Sequence, residues 1–286
     1  MTYAGKNELY LFLLSQEGYV VRSVSISRDS LNNLITECYR LCGSRDAKRL
    51  YNEGKLMGWS WIDDGSDFYN EEVAPLKGML SELYTYLIEP LEEELSSAEV
   101  VTIIPSGNLY YVPWGALLDA EGDSLIFLSE RYNWNILTST ELWKCIQRRE
   151  GKHKRLRSLV LVGNPAGSNP PLEYAEGEVT SIEQIYPNST TLTGIEATEP
   201  QVISITPQGQ ALHLATHCNL DTESPWESYI QLARTDSTDG KWTMSEVSGQ
   251  SWGKMQLVTL SACQTALGGE RPGLEFISMA TAFSLA

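Results

Sequence analysis

The sequence predicts an α/β protein, a mostly parallel sheet flanked by helices, preceded by a hairpin-plus-helices region. Three observations carry that reading. From residue 99 onward, short apolar runs alternate with amphipathic stretches, the pattern of strand–helix–strand units whose sheet is covered on both faces. Four of these runs, 100–105, 158–162, 211–216 and 256–262, are aliphatic or β-branched, nearly free of charge, and followed by polar or Gly-containing loops, as buried strands are. The first hundred residues differ in texture and carry no chemical motif. The sequence is therefore divided into an N-terminal region, 1–97, and an α/β domain, 98–286.

In chain order, Leu9–Leu14 and Tyr19–Ile26, split by Ser15-Gln-Glu-Gly18, read as a β-hairpin. Ser27–Ser30 supply helix N-cap candidates, and Leu31–Leu41 has apolar residues at helical spacing. Cys38 and Cys42 lie four apart on that helix and share a face; a metal or redox pair is one reading, small buried core residues the commoner one. A weaker helix is expected over Arg45–Gly58 and a loop over Trp59–Asn70. Glu72–Leu95 is strongly helical, with Val73, Leu76, Met79, Leu80, Leu83, Leu87 and Leu91 on one stripe. Pro90 interrupts it.

Val100–Pro105 then reads as a strand, Leu109–Trp114 as a short run returning to the core, and Leu125–Leu128 and Tyr132–Leu137 as extended pieces. A helix over Glu141–Arg149 runs into Arg148–Arg157, where six of ten residues are Lys or Arg. That stretch is expected to be a solvated linker, with a site for an acidic partner as the alternative. Ser158–Val162 closes on Gly163-Asn-Pro165, and helices are expected over Tyr174–Tyr186, Thr198–Ile203, Ser245–Gly249 and Leu274–Leu285. Extended pieces are expected at Thr190–Leu192 and Ser228–Ala233.

With 286 residues and 42% hydrophobic content, the chain can bury one sizeable core and a smaller appendage. Its net charge of −16 repels nucleic-acid phosphates and anionic membrane and favours basic partners. No apolar run reaches the roughly 18 residues of a membrane span, and Met1–Lys6 does not open a secretory leader. Five scattered cysteines argue against a disulfide framework and for a reducing, cytoplasmic setting. The three histidines, His153, His213 and His217, show no zinc-ligand spacing, and no phosphate-binding glycine loop occurs, so no metal or cofactor is expected.

The chemistry concentrates in two strand ends. Ala211-Leu-His-Leu-Ala-Thr-His217 ends in an imidazole, and Gln256-Leu-Val-Thr-Leu-Ser-Ala-Cys263 ends in a thiol. Reactive groups collect at the carboxyl ends of strands in an open parallel sheet, so His217 and Cys263 are a candidate base and nucleophile. Taken singly, each is more often a buried core residue; taken together, with order and flanks, catalysis is the better reading. The separation, 263 − 217 = 46 positions, is close to the interval of about 50 residues known for caspases. His213, two strand periods before His217, is read as core packing and not as the base.

The chain resembles the CHAT peptidases, caspase-like members of the clan of caspases and separase. The matching pieces are Ile104-Pro-Ser-Gly-Asn-Leu-Tyr-Tyr-Val-Pro-Trp-Gly-Ala-Leu117, Leu161-Val-Gly-Asn-Pro165, Leu172 to Glu178 and Leu212-His-Leu-Ala-Thr-His217. They continue with Ser228 to Leu232, Leu260-Ser-Ala-Cys-Gln-Thr-Ala-Leu-Gly268 and Gly273 to Leu285. The resemblance implies a caspase-like sheet and a cysteine endopeptidase with a His217–Cys263 dyad. It also implies an oxyanion hole from the backbone N–H groups of Cys218 and Cys263, where the family commonly has Gly after the His. Glu270 and Glu275 follow the nucleophile where such enzymes place pocket walls, and would favour Lys or Arg there, with ordinary surface acids the commoner reading; Trp226 and Trp252 are apolar walls of the cleft or core residues. Implied partners are a protein substrate and a regulatory sensor, tetratricopeptide-repeat region or partner chain, in bacterial defence or signalling. Family members usually continue past Phe283-Ser-Leu-Ala286, so the C-terminal part of the domain is expected to be cut off here or to exist as a separate fragment. The alternative from another class is a catalytically idle caspase-like scaffold acting by association.

Overall fold

The structure is a computed structural model, and it describes residues 2–4, 6–15, 17–42, 69–120, 125–149, 155–221, 223–252, 255–262, 268–269 and 277–286. The chain forms two compact units, 1–140 and 141–286. The expected boundary at 97/98 lies inside the first of them.

In the first unit, β1 (Thr2–Ala4), β2 (Glu8–Ser15) and β3 (Gly18–Ser25) form an antiparallel sheet in that order. Period two sorts its faces. Leu9 and Leu11 are fully buried, while Phe12, Leu14, Tyr19 and Val21 stay exposed on the other side. Ser27 opens α1 (Arg28–Cys42) as expected, its Oγ accepting the Ser30 N–H at 3.0 Å. Leu31, Ile35, Cys38 and Leu41 form the buried stripe of α1, whereas Cys42 is exposed. The helix expected at Arg45–Gly58 lies outside the described residues.

A π-helical turn, Tyr69–Val73, leads into α2 (Ala74–Leu87), which buries Leu76, Leu80, Leu83, Tyr84 and Leu87. Pro90 then forces a 3-10 turn, Glu89–Leu91, before the single turn α3 (Glu92–Leu95), because proline lacks the N–H that a continuous helix needs. The stretch Leu109–Trp114 is not extended: Gly107–Tyr111 and Trp114–Ala116 are 3-10 turns. Turning there buries Leu109, Val112 and Trp114 together, and the Trp114 indole N–H donates to the Leu109 carbonyl at 3.1 Å.

β4 (Val100–Ile103), β5 (Leu118–Asp119), β6 (Ile126–Phe127), α4 (Leu128–Arg131) and β7 (Asn133–Ile136) complete the unit. Arg131 joins Glu92, Asp119 and the Tyr84 hydroxyl in one charged cluster. Burial, reinforced by Glu92, pushes the Tyr84 phenol up. β4 pairs in parallel with β7, which corrects its expected place in the principal sheet.

In the second unit α5 (Thr140–Arg149) precedes a four-stranded parallel sheet. Its strands are β8 (Leu159–Pro165), β9 (Ser189–Gly194), β10 (Ala211–Ala215) and β14 (Leu257–Ser261), in the order β14-β10-β8-β9. Three of the four expected strands are here, and β9 takes the fourth place. Its weak apolar signal reflects an edge position, where only Leu192 of the strand is buried.

One face of the sheet, Leu159, Leu161, Ala211 and Ala215, packs on Ala175 and Val179 of α6 (Ala175–Ile185). The other, with Val160, Val162, Leu212 and Leu214, is covered by three helices. These are α7 (Glu199–Ile205), α8 (Met244–Ser248) and α9 (Met279–Leu285). A small antiparallel sheet of β11 (Cys218–Asn219), β12 (Tyr229–Gln231) and β13 (Lys241–Thr243) follows β10, and β15 (Gly268–Gly269) pairs with β16 (Ile277–Ser278). Among the described residues no helix is long and apolar enough to cross a membrane.

Candidate active site

The site grows out of β10 and the loop after β8. Gly163 sits where a Cβ would meet the Ala175 carbonyl and the Val179 side chain, both at 2.9 Å, so glycine is what lets α6 lie close on the sheet. Asn164 follows at φ 44°, a left-handed conformation that asparagine tolerates. Its amide then ties the loop together: Nδ2 donates to Glu176 at 3.0 Å, and Oδ1 accepts the Leu172 N–H at 3.3 Å.

β10 presents His213 toward α6, between the buried Ala211 and Ala215. The sequence expectation of core packing gains a partner there: His213 Nε2 lies 2.8 Å from Glu178 Oε1. The His213 side chain is 12% exposed, and burial of a polar ring beneath a helix requires such a partner.

His217 stands just past the end of β10, half-buried. Its backbone is held by β12: the Gln231 N–H donates to the His217 carbonyl at 2.9 Å, and the neighbouring Thr216 hydroxyl donates to the Gln231 carbonyl at 2.6 Å. Its ring is held by the β8–α6 loop, with Nε2 2.7 Å from the Pro170 carbonyl oxygen. A carbonyl can only accept, so Nε2 carries the proton and Nδ1 of the neutral ring is the basic nitrogen. That is the arrangement a general base needs: an oriented ring with its lone pair on the opposite side from its anchor.

Cys218 is buried and starts β11 opposite Ile230. The bond from Gln231 N to the His217 carbonyl flanks this pair. Asn164 is the only non-glycine residue at positive φ among those described, so Cys218 holds an ordinary backbone conformation in the position where glycine was expected.

Cys263, Glu270 and Glu275 lie outside the described residues. Trp226 sits on the turn Pro225–Glu227 and is 40% exposed. Trp252 is core and not a wall, stacked on Trp242 with ring centres 5.8 Å apart and tilted against Phe283 at 5.1 Å. Beside β11 and β12 is an open depression of about 570 Å³, with Asp221, Glu223, Glu227, Asp239 and Lys241 around it. Among the described residues no group of three or more His, Cys, Asp or Glu is placed to hold a metal ion.

Two participants escaped sequence reasoning. The Pro170 carbonyl carries no sequence signal, since every residue has one. Gln231 left a faint signal, a polar residue in the apolar run Tyr229-Ile-Gln-Leu232.

Among curated proteins nothing matches this sequence. The CHAT domain family does, over residues 77–286, which is most of the chain and includes the whole His217 neighbourhood. With the parallel, helix-covered sheet that supports that neighbourhood, the match shows that the chain belongs to the CHAT family, whose members are caspase-like and associated with cysteine peptidases.

Proposed function

We propose that this chain is a cysteine endopeptidase in which Cys263 is the nucleophile and His217 the base. The observation that supports this most is strand register. β10 and β14 run side by side in parallel with Ala215 opposite Ser261, and in the sequence His217 and Cys263 each stand two residues after that pair. In the proposed reaction His217 Nδ1 takes the Cys263 thiol proton, and the thiolate attacks the peptide carbonyl carbon. The oxyanion is received by the Cys218 and Cys263 N–H groups. The imidazolium then protonates the leaving amine, giving a thioester that water hydrolyses with His217 again as base. The bond from Nε2 to the Pro170 carbonyl steadies the imidazolium while it carries the proton. In this reading Glu270, Glu275 and Trp226 contribute to a substrate pocket for Lys or Arg. The enzyme acts in the cytoplasm on a protein substrate, in bacterial defence or signalling, under a sensor, repeat region or partner chain.

A thiol-reactive peptide probe tests the chemistry. Rapid labelling at Cys263 that disappears in His217→Ala is expected; slow labelling indifferent to His217 would instead identify an idle scaffold. Mapping new protein N-termini generated by the wild type but not by Cys263→Ala then identifies the substrate.

A further inference from the structure

We infer that Gln231 is the positioning residue for His217, setting which ring nitrogen faces the nucleophile. Its consequence for catalysis rests on the peptidase reading above; its effect on the ring does not.

Gln231 makes three hydrogen bonds around one imidazole. Its backbone N–H donates to the His217 carbonyl at 2.9 Å, and its backbone carbonyl accepts from the Thr216 hydroxyl at 2.6 Å. Its side-chain Nε2 donates to the Gly167 carbonyl at 2.8 Å. Gly167 is three residues before Pro170, whose carbonyl holds the His217 ring at 2.7 Å. The bonds thus close a circuit. From the His217 backbone the path runs to the Gln231 backbone, out along the Gln231 side chain to Gly167, along the loop to Pro170, and back to the His217 ring.

The loop segment that closes this circuit needs an external tie. Gly167 stands at φ +86°, and among the described residues nothing lies within 4 Å of where a Cβ would be. Among the described residues Ser168 bonds back to Pro165 within the same turn, through its N–H at 3.2 Å and its hydroxyl at 2.7 Å. The Asn164 bonds to Leu172 and Glu176 pin the two feet of the loop near β8 and α6. Between those feet, among the described residues, the Ala166 N–H donates to the Gly194 carbonyl of β9 at 2.8 Å, and the bonds toward the end of β10 and β12 are the Gln231 amide on Gly167 and the His217 ring on Pro170. Removing the Gln231 bond leaves the His217 ring on Pro170, with the Ala166 N–H on the Gly194 carbonyl, to hold the loop, and leaves Pro170 without a tie through Gly167 to Gln231. A neutral imidazole released from its acceptor exchanges protons between its two nitrogens, and the Nδ1 lone pair is no longer guaranteed. Reactivity is sensitive to such losses of orientation.

The test is ring ¹⁵N NMR on the full chain labelled at histidine, paired with the rate of Cys263 labelling by the peptide probe. The chain has three histidines, so His217→Ala identifies the signal. In the wild type His217 is expected as the Nε2–H tautomer. In Gln231→Met, of similar length but without a donor, it becomes a mixture of tautomers, and probe labelling slows on the order of tenfold. The His213 signals should not move. Gln231→Lys, which returns an N–H donor to Gly167, should recover most of both properties. A folded Gln231→Met with His217 still Nε2–H and labelling unslowed overturns the inference, as does a wild-type His217 in the Nδ1–H form. If Gln231→Met does not fold, Gln231→Glu is read by the same criteria, with a larger loss expected because its carboxylate faces a carbonyl. Absence of His217-dependent labelling in the wild type would sink the peptidase reading alone and leave the tautomer measurement to decide the role of Gln231.

Discussion

The middle of β10 and the stretch just past its end hold the same residue type, four positions apart, in opposite circumstances. His213 lies under α6 and meets a carboxylate, Glu178. His217 lies past the strand end and meets a backbone carbonyl, that of Pro170. A carboxylate partner answers the need of a buried polar ring and ties a helix to a sheet. A carbonyl partner fixes a tautomer and leaves the second nitrogen available. In the proposed reading the first histidine belongs to stability and the second to chemistry, although residue type and strand face alone would not separate them.

Substitutions can break this contrast. The largest effect is expected from His217→Ala, which should slow Cys263 labelling roughly 10²–10⁴-fold, as loss of a general base does, while leaving the melting temperature nearly unchanged. A large loss of stability with little loss of labelling would reverse the assignment. Gly163→Ala should destabilise the second unit by about 1–3 kcal/mol, because its methyl group runs into the Ala175 carbonyl and Val179. Denaturant titration checks this, and a neutral result would show that α6 can move off the sheet freely. His213→Ala should cost about 1–3 kcal/mol, with labelling close to wild type once the protein is folded. Should His213→Ala abolish labelling in a fully folded protein, the division between the two histidines fails. Glu178→Gln keeps a hydrogen-bonding partner for His213 and should cost less than about 1 kcal/mol. The smallest change belongs to Leu257→Ser on β14. That residue is 49% exposed, so its replacement should fall within about 0.5 kcal/mol of neutral.

Local elements were readable wherever side-chain period and chain punctuation agreed. The β2–β3 hairpin, the Ser27-capped α1, the stripe of α2 and its break at Pro90 all follow from residues close in sequence. Pairing was less readable. Val100–Ile103 has the apolar character of a principal-sheet strand and pairs with Asn133–Ile136, whereas Ser189–Gly194, rich in threonine, joins the sheet at its edge. Apolar content says nothing of a strand's neighbour and does not fix its burial either, since only Ile103 of Val100–Ile103 is buried. Leu109–Trp114, a short apolar run, fits a strand or a turn equally well in sequence, and the structure turns it so that its indole finds an acceptor.

By itself the sequence determined which residues are candidates for this chemistry, since an imidazole and a thiol at the ends of apolar runs are covalent facts. It also determined the alternation of strands and helices, because hydrophobic periodicity is written residue by residue. Tertiary structure alone decided the partners. Glu178 reaches His213 only because α6 folds over β10, and the Pro170 carbonyl reaches His217 only because the β8–α6 loop crosses the strand end where Gln231 tethers it. Those contacts join positions 35, 47 and 64 residues apart, through groups that are common along any chain. Their meaning depends on three-dimensional proximity, which no local pattern encodes.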